Sequence, residues 1–397
     1  MPLTPGCQRV VHGSASVKCR HPGNVAKSPR SQPVDSNDFE LERTTPRNLP
    51  RLEGDSMKSI HLALLMALLA APVVARERLP VIDMHLHAYA MDEFPPGVPA
   101  CPGDQHVLVP TIDPRAEVDF GSFATCKRPI FAAKDDADLR DRSLAALRKH
   151  NVRRAVTSGP VERVDDWRKA EGGHRLIPGV EFGTRQDRSI AELRKLHAEG
   201  KLAVLGEGYM QYRGHRPDDS RYEPYFALAE ELDIPVAVHL GEGPPAAARI
   251  PGYETYRASL GSPFLLEDVL RKHPRLRIYV MHYGSPMVDE MIAMMFTHPN
   301  LYVDVACNAG SFPRAQFHAA LRRMVDAGLV KRILFGSDQM YWPDFIGESI
   351  EAIDTATFLS AADKRDILYN NAARFLRLSE ADIARDHDRK PAKPASD

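Results

Sequence analysis

The chain is poor in cysteine, with five in 397 residues, which excludes a dense disulfide framework. It has no basic surplus: 52 lysines and arginines face 53 acidic residues, a net charge of −1. A general binder of nucleic acid or of an anionic membrane would carry such a surplus, so neither is expected as a partner. No apolar run reaches the ~20 residues that cross a bilayer. The first apolar strand is followed by neither GxGxxG nor a P-loop, which argues against a nucleotide-binding doubly wound sheet. What is present, 43% hydrophobic and 26% charged residues, suits a packed globular protein.

Residues 1–56 hold seven prolines, one aromatic (Phe39) and no apolar periodicity. Such a segment buries too little apolar surface to offset its ordering entropy, and it reads as a disordered or non-native extension. Lys58 then precedes an apolar run over 60–74, and the small Ala75 ends it. A positive residue, a short apolar stretch and a small residue at the cut form a secretory signal peptide, here 57–75. On this reading translation starts at Met57. The mature chain of 322 residues has 43 basic and 47 acidic residues and is exported, to the periplasm or beyond, with no membrane attachment after cleavage. Cys101 and Cys126 lie in one long loop; their pairing stays open, because spacing alone supplies no geometry. Cys307 is then left free. Residues 383–397 read as a disordered tail.

From Leu79 onward short β-branched runs alternate with amphipathic stretches. Strands are expected at 81–87, 154–158, 175–181, 203–207, 235–239, 277–282, 301–305 and 332–337. Between them, sets such as Ile190, Leu193 and Leu196 recur at helical spacing and mark one buried face. Pro235, Pro274 and Pro299 stand between a helix and the next strand, where proline ends helices. Eight such units in about 250 residues argue for an α/β fold of the (β/α)8 TIM-barrel type over 79–378, with an open doubly wound sheet as the alternative. Residues 88–134 form a long lid loop after strand 1, carrying Tyr89, Phe94, Phe120 and Phe123, and 360–378 read as an extra C-terminal helix.

Buried parallel strands should be apolar throughout. Several of these end instead in metal-ligand residues: His85 and His87 on strand one, Glu207 on strand four, His239 on strand five, His282 on strand six, Asp338 after strand eight. The C-terminal rim of a barrel is where its active site lies. His85 and His87 are two apart, so a strand points both to one face. Imidazole and carboxylate together suit zinc or a similar divalent ion, one or two per chain. Asp338 is placed to ligate and to accept the proton of a metal-bound water; Glu207 bridges a second ion or orients an imidazole from outside the ligand set. A single His-x-His is a weak signal; ligand-type residues at one end of five strands are a specific one. Tyr209, Arg213, Arg249, Asn308 and Trp342 follow the same strand ends and are candidates for the pocket wall.

The segments 81–87 (VIDMHLH), 236–239 (VAVH), 279–282 (YVMH) and 333–338 (ILFGSD), with the closing 367–376 (ILYNNAARFL), resemble the amidohydrolase superfamily, and within it the amidohydrolase-related (amidohydrolase 2) family. The resemblance implies a metal-dependent barrel enzyme. In the family's decarboxylases the positions of His85, His87, His239 and Asp338 hold one zinc, and that of His282 assists catalysis. In binuclear hydrolases a carboxylated lysine or a glutamate on strand four bridges two ions, and the histidines of strands five and six hold the second. Strand four here has Glu207 and no lysine, similar to TatD-type hydrolases, although Gly208-Tyr209-Met210 departs from their pattern. The expectation is an exported hydrolase in which a metal-bound hydroxide attacks an ester, lactone or amide carbonyl, with Asp338 as general base and acid and His282 assisting. The alternative is a zinc-dependent decarboxylase of an aromatic or enoic acid. The partner expected is a small-molecule substrate of unknown identity; self-association is left open.

Overall fold

The computed structural model describes residues 78–93, 99–105, 111, 113–117 and 126–388. The segments read as extension and signal peptide, and the lid residues Phe94, Phe120 and Phe123, lie outside them. Eight parallel strands follow one another around the sheet in sequence order. They are β1 (Val81–His87), β2 (Val152–Ser158), β3 (Leu176–Phe182), β4 (Val204–Gly208), β5 (Val236–His239), β6 (Ile278–Met281), β7 (Leu301–Asp304) and β8 (Ile333–Leu334). Backbone bonds from Met84 N to Phe335 O (2.9 Å), Asp338 N to His85 O (2.8 Å) and His87 N to Gln339 O (2.9 Å) join the last strand to the first. The molecule is thus a TIM barrel.

Helices α1 (Asp136–Lys149), α2 (Val161–Lys169), α3 (Ile190–Ala198), α4 (Glu223–Leu232), α5 (Glu267–Lys272), α6 (Val288–Thr297), the short α7 (Asn308–Ser311), α8 (Arg314–Asp326) and α9 (Phe345–Asp354) surround the strands. Local chemistry sets their ends. Asp135 accepts from Asp138 N at 2.8 Å to start α1, and Ser189 with Glu192 forms a capping box on α3. Asp233, at φ 52°, ends α4 before Pro235 leads into β5. None of the described helices is long and apolar enough to cross a membrane.

Two apolar layers hold the barrel. The outer one packs strand residues such as Leu86, Leu205, Val238 and Val303 against Trp167, Phe226, Met291 and Phe317 of the helices. The inner one gathers Ile82, Met84, Val156, Val204, Ala237, Tyr279, Met281 and Leu334 with Tyr369, Ala372, Ala373 and Phe375. The last four come from the expected C-terminal element. It is a broken rod: α10 (Ala361–Arg365), a π-turn (Asp366–Asn370) and α11 (Asn371–Phe375). Asn371 Nδ2 donates to Val330 O and Ile333 O at 2.8 and 2.7 Å, which pins the rod to the β8 entry. It closes the end of the barrel opposite the polar strand ends. Burying a side chain the size of Phe375 contributes ~1.5–3 kcal/mol.

Three sequence expectations are corrected. Strand eight is regular only over Ile333–Leu334, not 332–337; beyond it the backbone pairs irregularly with β1. His282 lies just past β6, in a left-handed conformation that no strand residue adopts. The tail read as disordered from 383 is helical to Asp388, as α12 (Glu380–Asp388), because Arg154 Nε and the Tyr369 hydroxyl both donate to Asp386 Oδ2, at 2.7 and 2.9 Å.

Cys101 and Cys126 form a disulfide, with Cα atoms 6.0 Å apart, and Cys307 is free. Beside the bridge, Ala100 and Ile130 pair antiparallel and tie the long loop into a neck.

Candidate metal centre

Regular alternation on β1 would not bring His85 and His87 inward. Ile82 and Met84 already point into the barrel, so residues 85 and 87 belong to the opposite parity. The pairing of β1 with β2 shifts register between Asp83 and Leu86, and this bulge reverses the phase. Leu86 then packs outward, and the two imidazoles join the interior above Met84. The register of β4 against β5 likewise shifts between Leu205 and Gly208, where Glu207 stands. His282, Cys307 and Asp338, which follow β6, β7 and β8, have φ of 58°, 57° and 55°. A non-glycine residue held there costs ~1–3 kcal/mol, and such residues concentrate at functional sites.

Four donor atoms meet in this upper storey. His85 Nε2 is 3.0 Å from His87 Nε2, 3.3 Å from Glu207 Oε2 and 3.3 Å from Asp338 Oδ1. His87 Nε2 is 3.3 Å from Glu207 Oε2 and 3.1 Å from Asp338 Oδ1. The other oxygen of Glu207, Oε1, is 2.8 Å from His239 Nδ1, which is 3.1 Å from His282 Nε2. All six side chains are buried.

The hydrogen bonds around the cluster settle which ring nitrogens are bare. His85 Nδ1 donates to Asp304 Oδ2 at 3.0 Å, and His282 Nδ1 to Ala306 O at 3.1 Å. In the neutral imidazole, the form that binds a metal, this leaves Nε2 of each with its lone pair toward the cluster. Lone pairs of nitrogen and carboxylate oxygen at 3.0–3.3 Å repel unless a proton or a metal ion lies among them. Donors that bind one ion at ~2.0–2.2 Å stand ~3–3.5 Å apart, which the separations match. The groups His85–His87–Asp338 and His85–Glu207–His282 can each hold a metal ion.

Electrostatics agree. Burial opposes a charge on His85, but the Asp338 and Asp304 carboxylates overcome it and hold the imidazole well above its ordinary range. Burial also opposes His87, whose bonds to Asp338 and Glu207 push it up to about 9. Glu207 would be raised by burial, yet the three histidines it bonds keep it well below the carboxylate range. His282 is lowered, by burial and then by its neighbour His239. The cluster therefore favours positive charge, and its groups can hold a metal ion.

The further candidates part company. Tyr209 stands at the cluster, its hydroxyl against that of Tyr89. Asn308 is buried beside the Tyr283 phenol. Arg213 sits on the rim near Glu254. Arg249 gives its guanidinium to the carbonyls of Pro114 (3.3 Å) and Ala116 (2.7 Å), so it braces the long loop. Trp342 packs into the outer apolar layer, 6.3 Å from the Phe345 ring.

Sequence reasoning passed over several residues. Asp304 ends β7 and holds both His85 Nδ1 and His282 N, the latter at 2.8 Å; the rule that found the others, a polar residue closing an apolar strand, would have found it. Asp83 accepts from His85 N and Ser337 N, each at 3.0 Å, and from Ser337 Oγ at 2.6 Å. Glu181 Oε1 lies 4.0 Å from His87 Nδ1. Glu242 follows β5, its Oε1 accepting from Ser285 Oγ at 3.0 Å. Tyr89 stacks on His87 at 4.4 Å and Tyr212 tilts over His239 at 4.6 Å, contacts between loops that no local pattern announces.

Comparison with known proteins places these residues in context. A family model described as amidohydrolase matches residues 82–378. Comparison with curated proteins gives no match. Among solved structures, a TIM-barrel protein from Bordetella bronchiseptica is similar at 20% identity and TM-score 0.48, over 62% of this chain and 86% of that one. A probable 2-pyrone-4,6-dicarboxylic acid hydrolase from Acinetobacter baumannii is similar at 13% identity and TM-score 0.48, over 75% and 99%. A 2,6-dihydroxybenzoate decarboxylase from Rhizobium is similar at 14% identity and TM-score 0.47, over 76% and 99%.

Proposed function

From the premise that this chain belongs to the amidohydrolase family of enzymes, we propose a hydrolase that uses two divalent ions, zinc first among them, to cleave an ester, lactone or amide of a small-molecule substrate. One observation carries this reading. Glu207 turns Oε2 to His85 and His87 and Oε1 to His239, the posture of a carboxylate shared between two ions. His85, His87 and Asp338 would complete the first position, His239 and His282 the second. Divalent ions so held lower the pKa of bound water from ~15.7 toward ~7 and polarise a carbonyl.

The protein's own groups then manage the proton. Asp338, kept ionised by His85, His87 and His282 against the opposing effect of burial, accepts the proton of the attacking water. As the bond from the carbonyl carbon to its oxygen or nitrogen substituent breaks, the electron pair leaves with that atom, and Asp338 returns the proton to it. Asp304 keeps His85 in the tautomer and direction this requires.

The test is metal content of the zinc-loaded protein before and after Glu207→Gln. Two equivalents falling to one, with hydrolysis lost, support the bridge. One equivalent, unchanged in the variant, refutes it; carbon dioxide release from aromatic or enoic acids would then identify a decarboxylase. Export is part of the proposal, supported by the apolar run at 60–74 and the Cys101–Cys126 bridge. It predicts a mature N-terminus at Arg76, which protein sequencing of the exported fraction reads directly.

A further inference from the structure

Resting on the hydrolase reading, we infer that the substrate is a neutral, π-rich carbonyl compound, an aryl ester, lactone or anilide, held over an arc of tyrosines beside the two histidine pairs. The arc is built by the loops after β1, β4 and β5. Tyr89 stacks on the His87 ring, centroids 4.4 Å apart at 20°. Its hydroxyl meets that of Tyr209, whose ring lies 5.8 Å from Tyr212. Tyr212 reaches the other pair, 4.6 Å from the His239 ring, and is backed by Tyr253 at 5.1 Å and Tyr256 at 5.5 Å. A continuous aromatic surface thus runs from one end of the ligand cluster to the other.

Apart from Tyr256, which is buried, these rings are only partly covered. Tyr279 and Tyr283 show what core tyrosines look like here, at 0% and 1% exposure. Tyr89, Tyr209, Tyr212 and Tyr253 remain half-buried on the side of the barrel where the ligands converge. Flat faces at that position offer offset or edge contacts to a planar group. Glu181, outside the proposed ligand set, sets a carboxylate beside the arc, its Oε1 4.0 Å from His87 Nδ1. Of the two rim arginines singled out in the sequence, Arg249 braces the loop and Arg213 lies near Glu254. A substrate carboxylate on the arc would meet that of Glu181, whereas a neutral aromatic carbonyl meets faces and hydroxyl donors.

Two measurements on the zinc-loaded enzyme test this. In the first, 2-naphthylmethanol and its decahydro counterpart, which match in outline and differ in the π face, are titrated by calorimetry. The aromatic alcohol should bind tighter, Tyr212→Leu and Tyr89→Leu should each weaken it about fivefold, and Tyr212→Phe should restore it. Equal binding of the two alcohols, or leucine variants that leave the aromatic ligand unchanged, would overturn the arc. In the second, 2-naphthyl acetate and its 6-carboxy derivative are hydrolysed, each rate divided by its hydroxide rate. The neutral ester should lead about tenfold; parity, or a lead for the anion, overturns the charge argument. If no carbonyl compound turns over but the Tyr212 dependence of binding persists, the hydrolase reading fails and the aromatic site stands. If esters turn over with no aromatic preference, the reverse holds.

Discussion

Asp83 allows a quantitative check of the electrostatics beneath the site. It lies on β1, fully buried, two residues before His85. Burial raises its carboxyl from the ordinary value of 3.8 to about 6, even though Ser337 and the His85 and Ser337 backbone amides donate to it. The folded state therefore binds the proton more tightly than the unfolded chain does. Asp83's contribution to stability is fully present below the unfolded value and is lost as pH rises through about 6. A gap of about two units corresponds to about 3 kcal/mol, of which about 2 kcal/mol falls between pH 4.5 and 7.5. Asp83→Asn should imitate the protonated form: its amide oxygen still accepts the two backbone N–H groups, and its NH2 meets the Ser337 hydroxyl, which turns to accept. Urea unfolding of both proteins without metal, followed through the buried Trp167 and Trp342, measures the difference in stability. Other groups titrate alike in the two proteins and cancel. Between pH 4.5 and 7.5 the variant should gain about 2 kcal/mol relative to the parent. A difference that does not change with pH would refute the reasoning.

Asp304→Asn should lower metal affinity ~10–100-fold while leaving the fold intact, since the residue orients His85 without joining the ligand set; metal-buffer titration and circular dichroism check the two halves. Replacing His85 and His87 together by alanine should abolish metal binding, and full metal content in that variant would undo the site assignment. Replacing Cys101 and Cys126 by serine opens a loop of sequence separation 25. The chain-entropy model gives a loss of about 3.5 kcal/mol, seen as a lower urea midpoint.

The barrel was legible because its signal is carried by every element. All eight strands lie where β-branched runs alternate with helical spacing, and most boundaries move by a residue or two. The residues of the candidate site were legible because a histidine or carboxylate ending an apolar strand violates the pattern around it. Asp304 obeyed the same rule inside an expected strand and still escaped notice. Of the tyrosine arc, the sequence singled out Tyr209 for the pocket wall and Tyr89 for the lid loop, but not their meeting. Tyr89 and Tyr209 are 120 residues apart and meet through loops with no periodicity, so only the closed barrel brings them together. The two-versus-one-ion question turned on Glu207, where sequence supplied the residue and only geometry supplied the direction of its two oxygens.

The irregularities of this barrel and its chemistry have one origin. A regular strand end continues the interior parity set by the apolar storey: after Ile82 and Met84, the next inward position on β1 is Leu86, not a histidine. Bringing ligands inward requires breaking that parity on strand after strand. β1 and β4 do it by register shifts, at Asp83/Leu86 and Leu205/Gly208, the latter felt on its other side as the shift of β4 against β3 at Val180/Phe182. The exits of β6, β7 and β8 do it by left-handed residues at 282, 307 and 338. Each break gives up ladder bonds or conformational ease, and the upper storey it creates is polar and mutually repulsive without cations. The compensation lies below and around it, in the closed apolar storey sealed by Tyr369 and Phe375 and in the helix layer. Asp83 and Asp304 link the two levels: one holds the β1 bulge against Ser337, the other fixes His85 and the His282 backbone. Loosening either should disturb the ligand set before it disturbs the barrel, so metal affinity should fall in variants whose unfolding midpoint barely moves.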